Sequence, residues 1–70
     1  MALTVRQWRK AKEISQMKMA DILQVHVNTY VNWENCPEKI PVGKALEMAQ
    51  IFDVPIDNIS FLSTTLQNVE

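Results

Sequence analysis

The sequence predicts an all-α fold of five short helices, and three observations carry that prediction. Apolar residues recur at spacings of three and four, and no stretch alternates apolar with polar as a half-buried strand would. Side chains suited to opening a helix, Thr4 and Ser15, stand directly before such stretches. Pro37, Pro41 and Pro55 fall between them, where a helix must stop or begin. With 47% hydrophobic residues, a chain of 70 residues has the means to build one small core and is too apolar for intrinsic disorder. The expected organisation is one domain over residues 1–62, followed by a polar tail over 63–70.

Helix 1 opens at Thr4. Thr4-Val5-Arg6-Gln7 reads as a capping box, with the threonine hydroxyl accepting from the Gln7 backbone and Gln7 reaching back. Val5, Trp8 and Ala11 or Lys12 form its inner stripe. Helix 2 opens at Ser15 and covers Gln16 to Leu23, with Met19, Ala20, Ile22 and Leu23 on the apolar face. Helix 3 covers about Val27 to Glu34. Its Tyr30 and Trp33 share one face and, like Trp8, are assigned to the core rather than to stacking on bases. His26 falls in the cap region of this helix, and Pro37 ends it by restricting Cys36. Helix 4 covers about Gly43 to Phe52, offering Leu46, Met48, Ala49 and Phe52 to the core. Helix 5 is expected over Ile56 to Leu62, with Ile56, Ile59 and Leu62 apolar.

Charge is unevenly placed. The net charge is −1, yet residues 1–18 carry five cations against the single carboxylate Glu13, and the remainder carries two cations against seven carboxylates. Such a dipolar chain can turn a positive face to phosphates while staying near neutrality. One cysteine, Cys36, cannot form an internal disulfide, which fits a reducing compartment. The start MALTVRQW lacks the apolar run of a signal peptide, and no stretch has the length to span a bilayer. The cytoplasm is the expected location. His26 and Cys36 are the only residues of their types. Nucleophilic catalysis needs a nucleophile, a base and an orienting group, and a structural zinc site needs four ligands. Neither an enzyme nor a metal or cofactor site is expected.

The informative segment is residues 16–35, QMKMADILQVHVNTYVNWEN. Two short helices joined by a turn of about four residues have helix-turn-helix spacing. Ala20 is small where the two helices must cross closely, and Leu23, Val25, Tyr30 and Trp33 supply the wedge between them. Taken with VRQWRKAKEISQ before it and ALEMAQIFDVPIDNI after it, this segment resembles the lambda-repressor-like helix-turn-helix family of phage repressors and Cro proteins. The resemblance runs from about Val5 to Leu62. It implies five helices, with helix 3 reading bases in the major groove of double-stranded DNA.

It also implies residue roles. Val27, Asn28, Thr29 and Asn32 occupy positions that face the groove in the family. Asparagine can pair bidentately with adenine, and valine or a threonine methyl can meet a thymine methyl, so an A/T-leaning half-site is expected. Ser15 and Gln16, at the start of helix 2, are the implied phosphate ligands, where free N–H groups and the helix dipole favour an anion, and Gln16 holds either a phosphate or a neighbouring reading side chain in the family. Asn35, Lys39 and Arg6 are further phosphate ligands, with Lys18 and Lys44 as weaker ones. Arg9 and Glu34 match an ion pair that ties helix 1 to the end of helix 3 in some members, and Arg9 is a further possible contact to phosphate.

The chain departs from the pattern at Gln24, Glu13 and Cys36, which stand where relatives often have glycine, and at Pro55, which occupies a usual cap position. A homodimer is expected, with its surface near Ile59, Phe61 and Leu62. The alternative function is a protein-interaction module of the same fold, antitoxin-like or coactivator, with little specific DNA binding.

Overall fold

A computed structural model describes residues 2–62. The elements are strand β1 (Leu3–Thr4), helices α1 (Val5–Ala11), α2 (Gln16–Leu23), α3 (Val27–Asn35) and α4 (Val42–Phe52), and strand β2 (Ile59–Ser60). Two single 3₁₀ turns, Pro37–Lys39 and Ile56–Asn58, complete the path. The expected tail 63–70 lies outside the described residues.

Local chemistry explains where the helices begin. Thr4 Oγ1 accepts from the Gln7 N–H at 3.1 Å, and Gln7 Oε1 accepts from the Thr4 N–H at 2.9 Å, a complete capping box. Ser15 Oγ accepts from the Lys18 N–H at 3.0 Å and opens α2. His26 opens α3 by accepting the Asn28 N–H on Nδ1 at 3.1 Å. Helix α4 begins after Pro41 with no side-chain cap. It starts one residue before Gly43, and a Cβ at Gly43 would meet nothing within 4 Å.

Three helices end alike, although none ends on glycine. Glu13, Gln24 and Asp53 adopt left-handed conformations, with φ of 60°, 59° and 59°. After each, the next N–H reaches back to a helical carbonyl: Ile14 to Arg9 at 3.1 Å, Val25 to Ala20 at 3.0 Å and Val54 to Ala49 at 3.1 Å. This closure satisfies carbonyls that the helix end leaves free, and it sets an apolar residue against the core just beyond the bend. Of the glycine-like positions, Gln24 and Glu13 are left-handed whereas Cys36 has φ −131° and no need of glycine. Asp53 is left-handed as well, at the end of α4.

The core consists of Val5, Met19, Ala20, Leu23, Tyr30, Met48, Ala49, Phe52 and Ile59. The Trp8 ring stacks on Phe52 with centroids 6.5 Å apart, and Trp8 and Trp33 pack half-buried against the core. Two residues assigned to apolar faces turn outward instead: Ile22 is 42% exposed and Leu46 is 50% exposed. Helical spacing identifies a stripe, but neighbours decide how much of its edge is covered.

The fifth helix does not form. A 3₁₀ turn at Ile56–Asn58 gives way to β2, which pairs parallel with β1, Leu3 opposite Ile59 and Thr4 opposite Ser60. A continuing α-helix would need the Asn58 carbonyl to accept from the Leu62 N–H. Trp8 Nε1 takes that carbonyl at 2.8 Å, and the Leu62 N–H turns to Ser60 Oγ at 3.5 Å. Ile59 therefore lies in the core, 5% exposed, and is not available to a dimer surface.

Candidate nucleic-acid interface

Helix α3 presents two chemically different sides. Tyr30 and Glu34, one turn apart, are buried behind it. On the outer side Asn28 and Asn32 are exposed, and Val27 and Thr29 are half-buried. Thr29, Asn32, Asn35 and Lys39, with Trp33 and Cys36, line one shallow depression of about 320 Å³. Two expected base readers and two expected phosphate ligands thus share one surface, although the last two come from the end of α3 and the turn after it.

Behind this surface one buried carboxylate joins three helices. The Glu34 side chain has no exposure. Its Oε2 accepts from Arg9 Nε at 2.5 Å and from the Tyr30 hydroxyl at 2.6 Å. Its Oε1 accepts from Gln16 Nε2 at 3.1 Å, Arg6 Nε at 3.3 Å and Arg9 Nη2 at 3.5 Å. Burial alone pushes the Glu34 carboxyl up. Hydrogen bonds from Arg9, Tyr30 and Gln16, with the Arg9 charge, outweigh burial and hold it below the ordinary glutamate value. Burial first, then the bond to Glu34 and its charge, pushes the Tyr30 hydroxyl well above its ordinary range, against the opposing pull of Arg9. No buried side-chain nitrogen or oxygen among the described residues lacks a hydrogen-bond partner.

The network sorts the expected ligands. Arg9 is committed: besides Glu34 it donates from Nη1 to the Ile14 carbonyl at 2.8 Å, and its side chain is only 11% exposed. With each of its three nitrogens bonded inside the molecule and so little surface showing, Arg9 serves the network first and has little left to offer a phosphate. Arg6 is 40% exposed and donates from Nη2 to Asn35 Oδ1 at 2.5 Å, so it reaches the surface while tethered at two points. Gln16 is half-buried, with one N–H of its amide nitrogen on Glu34 and the other without a partner among the described residues. Ser15 is exposed, and its hydroxyl keeps a proton to donate after capping α2.

Of the weaker lysines, Lys18 is exposed, whereas Lys44 donates to the Leu23 carbonyl at 2.7 Å and caps the end of α2. It also lies 3.7 Å from Glu47, so Lys44 is a structural cation rather than a free one. Lys12 sits 6.0 Å over the Trp8 ring.

Sequence reading placed Tyr30 in the core and missed its hydroxyl. The spacing of Tyr30 and Glu34, four apart on one helix, was the available signal. The links from Arg6 to Asn35 and from Gln16 to Glu34 join distant parts of the chain and have no local signature. Among the described residues no group of three or more His, Cys, Asp or Glu side chains could hold a metal ion, and no helix is long and apolar enough to cross a membrane.

Comparison with curated proteins and with solved structures gives no match. Comparison with family models matches residues 5–59 to a helix-turn-helix family. That match spans α1 through the start of β2 and contains the whole surface described above. The chain belongs to the lambda-repressor-like helix-turn-helix family and is, in general type, a DNA-binding regulator.

Proposed function

We propose that this chain is a sequence-specific regulator of transcription of the repressor or Cro type, acting on double-stranded DNA in the cytoplasm. Val27, Asn28, Thr29 and Asn32 read bases in the major groove. Ser15, Gln16, Asn35, Lys39 and Arg6 meet phosphates on either side. The observation that carries this reading is the exposure of Asn28 and Asn32 on a helix whose opposite side is fixed by Tyr30 and Glu34. A rigid helix with free amides on its outer side can hold them at base edges with little loss of side-chain freedom.

Two copies would bind half-sites about 34–36 Å apart, one helical turn of DNA. With Ile59 buried, the expected dimer surface keeps Phe61 and the exposed Leu62, and Phe61 lines one depression with Val42 and Leu46. Val42 and Leu46 are 76% and 50% exposed, and this is also what favours the second reading, a protein-interaction module.

Selection from a random duplex library tests the proposal. A palindromic, A/T-leaning sequence is expected. Asn28→Ala and Asn32→Ala should each relax one position and lose about 1–3 kcal/mol of base discrimination. Absence of any enriched sequence rejects specific reading. Absence of salt-dependent binding to random duplex leaves the protein-interaction module.

A further inference from the structure

Glu34 shares Arg9 between its two oxygens, at 2.5 Å on Oε2 and 3.5 Å on Oε1, and otherwise gives them different partners. Oε2 holds Arg9 and Tyr30, both inside the molecule, and Oε1 holds Arg6 and Gln16, both of which reach the surface. Glu34 itself has no exposed side-chain surface, so it cannot touch a ligand directly. What it can do is fix where its partners stand. Arg6 is pinned by Oε1 and by Asn35 Oδ1, its side chain is 40% exposed, and its Nη1 has no partner among the described residues. Gln16 hangs from the same oxygen at 3.1 Å. Its backbone N–H belongs to the first turn of α2, which has no helical acceptor for it.

We propose that Glu34 is a positioning residue that couples Arg6 and Gln16 into one clamp for a single stretch of DNA backbone, with Asn35 as the second tether of Arg6. The inference rests on the DNA-binding reading above. Arginine suits this task and lysine does not. The guanidinium is a planar fork that can spend two nitrogens on protein acceptors and still present a third to a phosphate. A lysine ammonium carries the same charge on a flexible stem, without that geometry. Side chains already held in place lose less freedom when the ligand arrives. Because Arg6 and Gln16 share one acceptor atom, releasing either lets the other drift, and their contributions to binding are not independent.

The test is a cycle of Arg6→Lys, Gln16→Ala and the double variant in the full chain. Affinity is measured by fluorescence anisotropy on the duplex selected by the wild type, with thermal melting to confirm folding. Each substitution removes a donor from Glu34 Oε1 but leaves the bonds of Arg9 and Tyr30 to Oε2 in place, so all three variants should fold. Each single variant should weaken binding roughly tenfold, Arg6→Lys included although its charge is kept. The double variant should bind about as weakly as the worse single one, not at the roughly hundredfold loss of two independent contacts. Wild-type affinity in Arg6→Lys, or a double loss equal to the product of the singles, overturns the clamp while leaving sequence-specific binding intact. If the wild type itself selects no sequence, the DNA-binding reading fails and takes the clamp with it.

Discussion

The two sides of this small core are held by different physics. Helix α3 is joined to α1 and α2 through one buried carboxylate, with donors from Arg6, Arg9, Gln16 and Tyr30. Helix α4 is joined to the rest mainly by apolar contact, through Met48, Ala49 and Phe52 and the stacking of Phe52 on Trp8. Apolar contact is non-directional and tolerates small slides and repacking. Hydrogen bonds to one carboxylate fix both distance and angle. The directional support lies under the helix that carries the candidate readers, and the forgiving support lies on the other side. Precision is concentrated where a ligand would need it.

The strongest way to break this contrast is to remove each support in turn. Glu34→Ala leaves the Arg9 guanidinium buried without its counter-charge and should cost about 3–5 kcal/mol in urea unfolding. Phe52→Ala opens a cavity and should cost a similar amount, about 3–5 kcal/mol. Of the two, only the loss of Glu34 should also scatter Arg6 and Gln16. Amide resonances around those two residues should shift in Glu34→Ala, measured at a temperature where it stays folded, and hold in the milder Phe52→Leu. Equal disturbance of both variants would erase the distinction.

Acid sharpens the comparison further. The folded Glu34 carboxyl titrates below the ordinary glutamate value of 4.5, so the unfolded chain takes up the proton first as pH falls. The stability it contributes is present above that value and is lost as pH drops through the lowered folded one. Unfolding midpoints measured between about pH 6 and pH 3 should therefore decline. The decline should be shallower in Tyr30→Phe, which removes one of the bonds that depress Glu34, and unchanged in Phe52→Leu. Parallel curves for all three proteins would detach this acid sensitivity from Glu34.

The smallest effect concerns the bend between α2 and α3. Gln24 holds a left-handed conformation with a side chain that disfavours it. Gln24→Gly should raise stability by up to about 1 kcal/mol, the relief of strain offset in part by the greater freedom of glycine when unfolded. A loss of stability would show that the Gln24 side chain contributes more than its backbone costs.

These contrasts also explain what the chain disclosed before its structure. Caps were legible because their chemistry is local: Thr4 meets Gln7, and Ser15 meets Lys18, within three residues. The helix-turn-helix was legible for the same reason, as small and apolar residues at fixed spacing across one turn. The outer side of α3 followed from placing Tyr30 inward. Helix 5 was misread because Ile56, Ile59 and Leu62 carry a helical period. What overrides that period is Trp8, 50 residues from the Asn58 carbonyl it captures. Of the Glu34 network the family resemblance gave only the Arg9 pair; Arg6, 28 residues from Glu34, and Gln16, 18 residues from it, lay out of reach. Sequence order reports neighbours on one helix well, and reports poorly which distant donors converge on one oxygen.

The two-residue ladder between Leu3–Thr4 and Ile59–Ser60 has a mechanical consequence. Its strands run in the same direction, so a segment attached ahead of the first and another attached behind the second depart from opposite ends of the ladder. Tension between such segments would load its bonds together, in shear, instead of peeling them one by one. Thr4 also caps α1, so the anchoring of that helix and the resistance of the domain to being pulled open reside in the same residue.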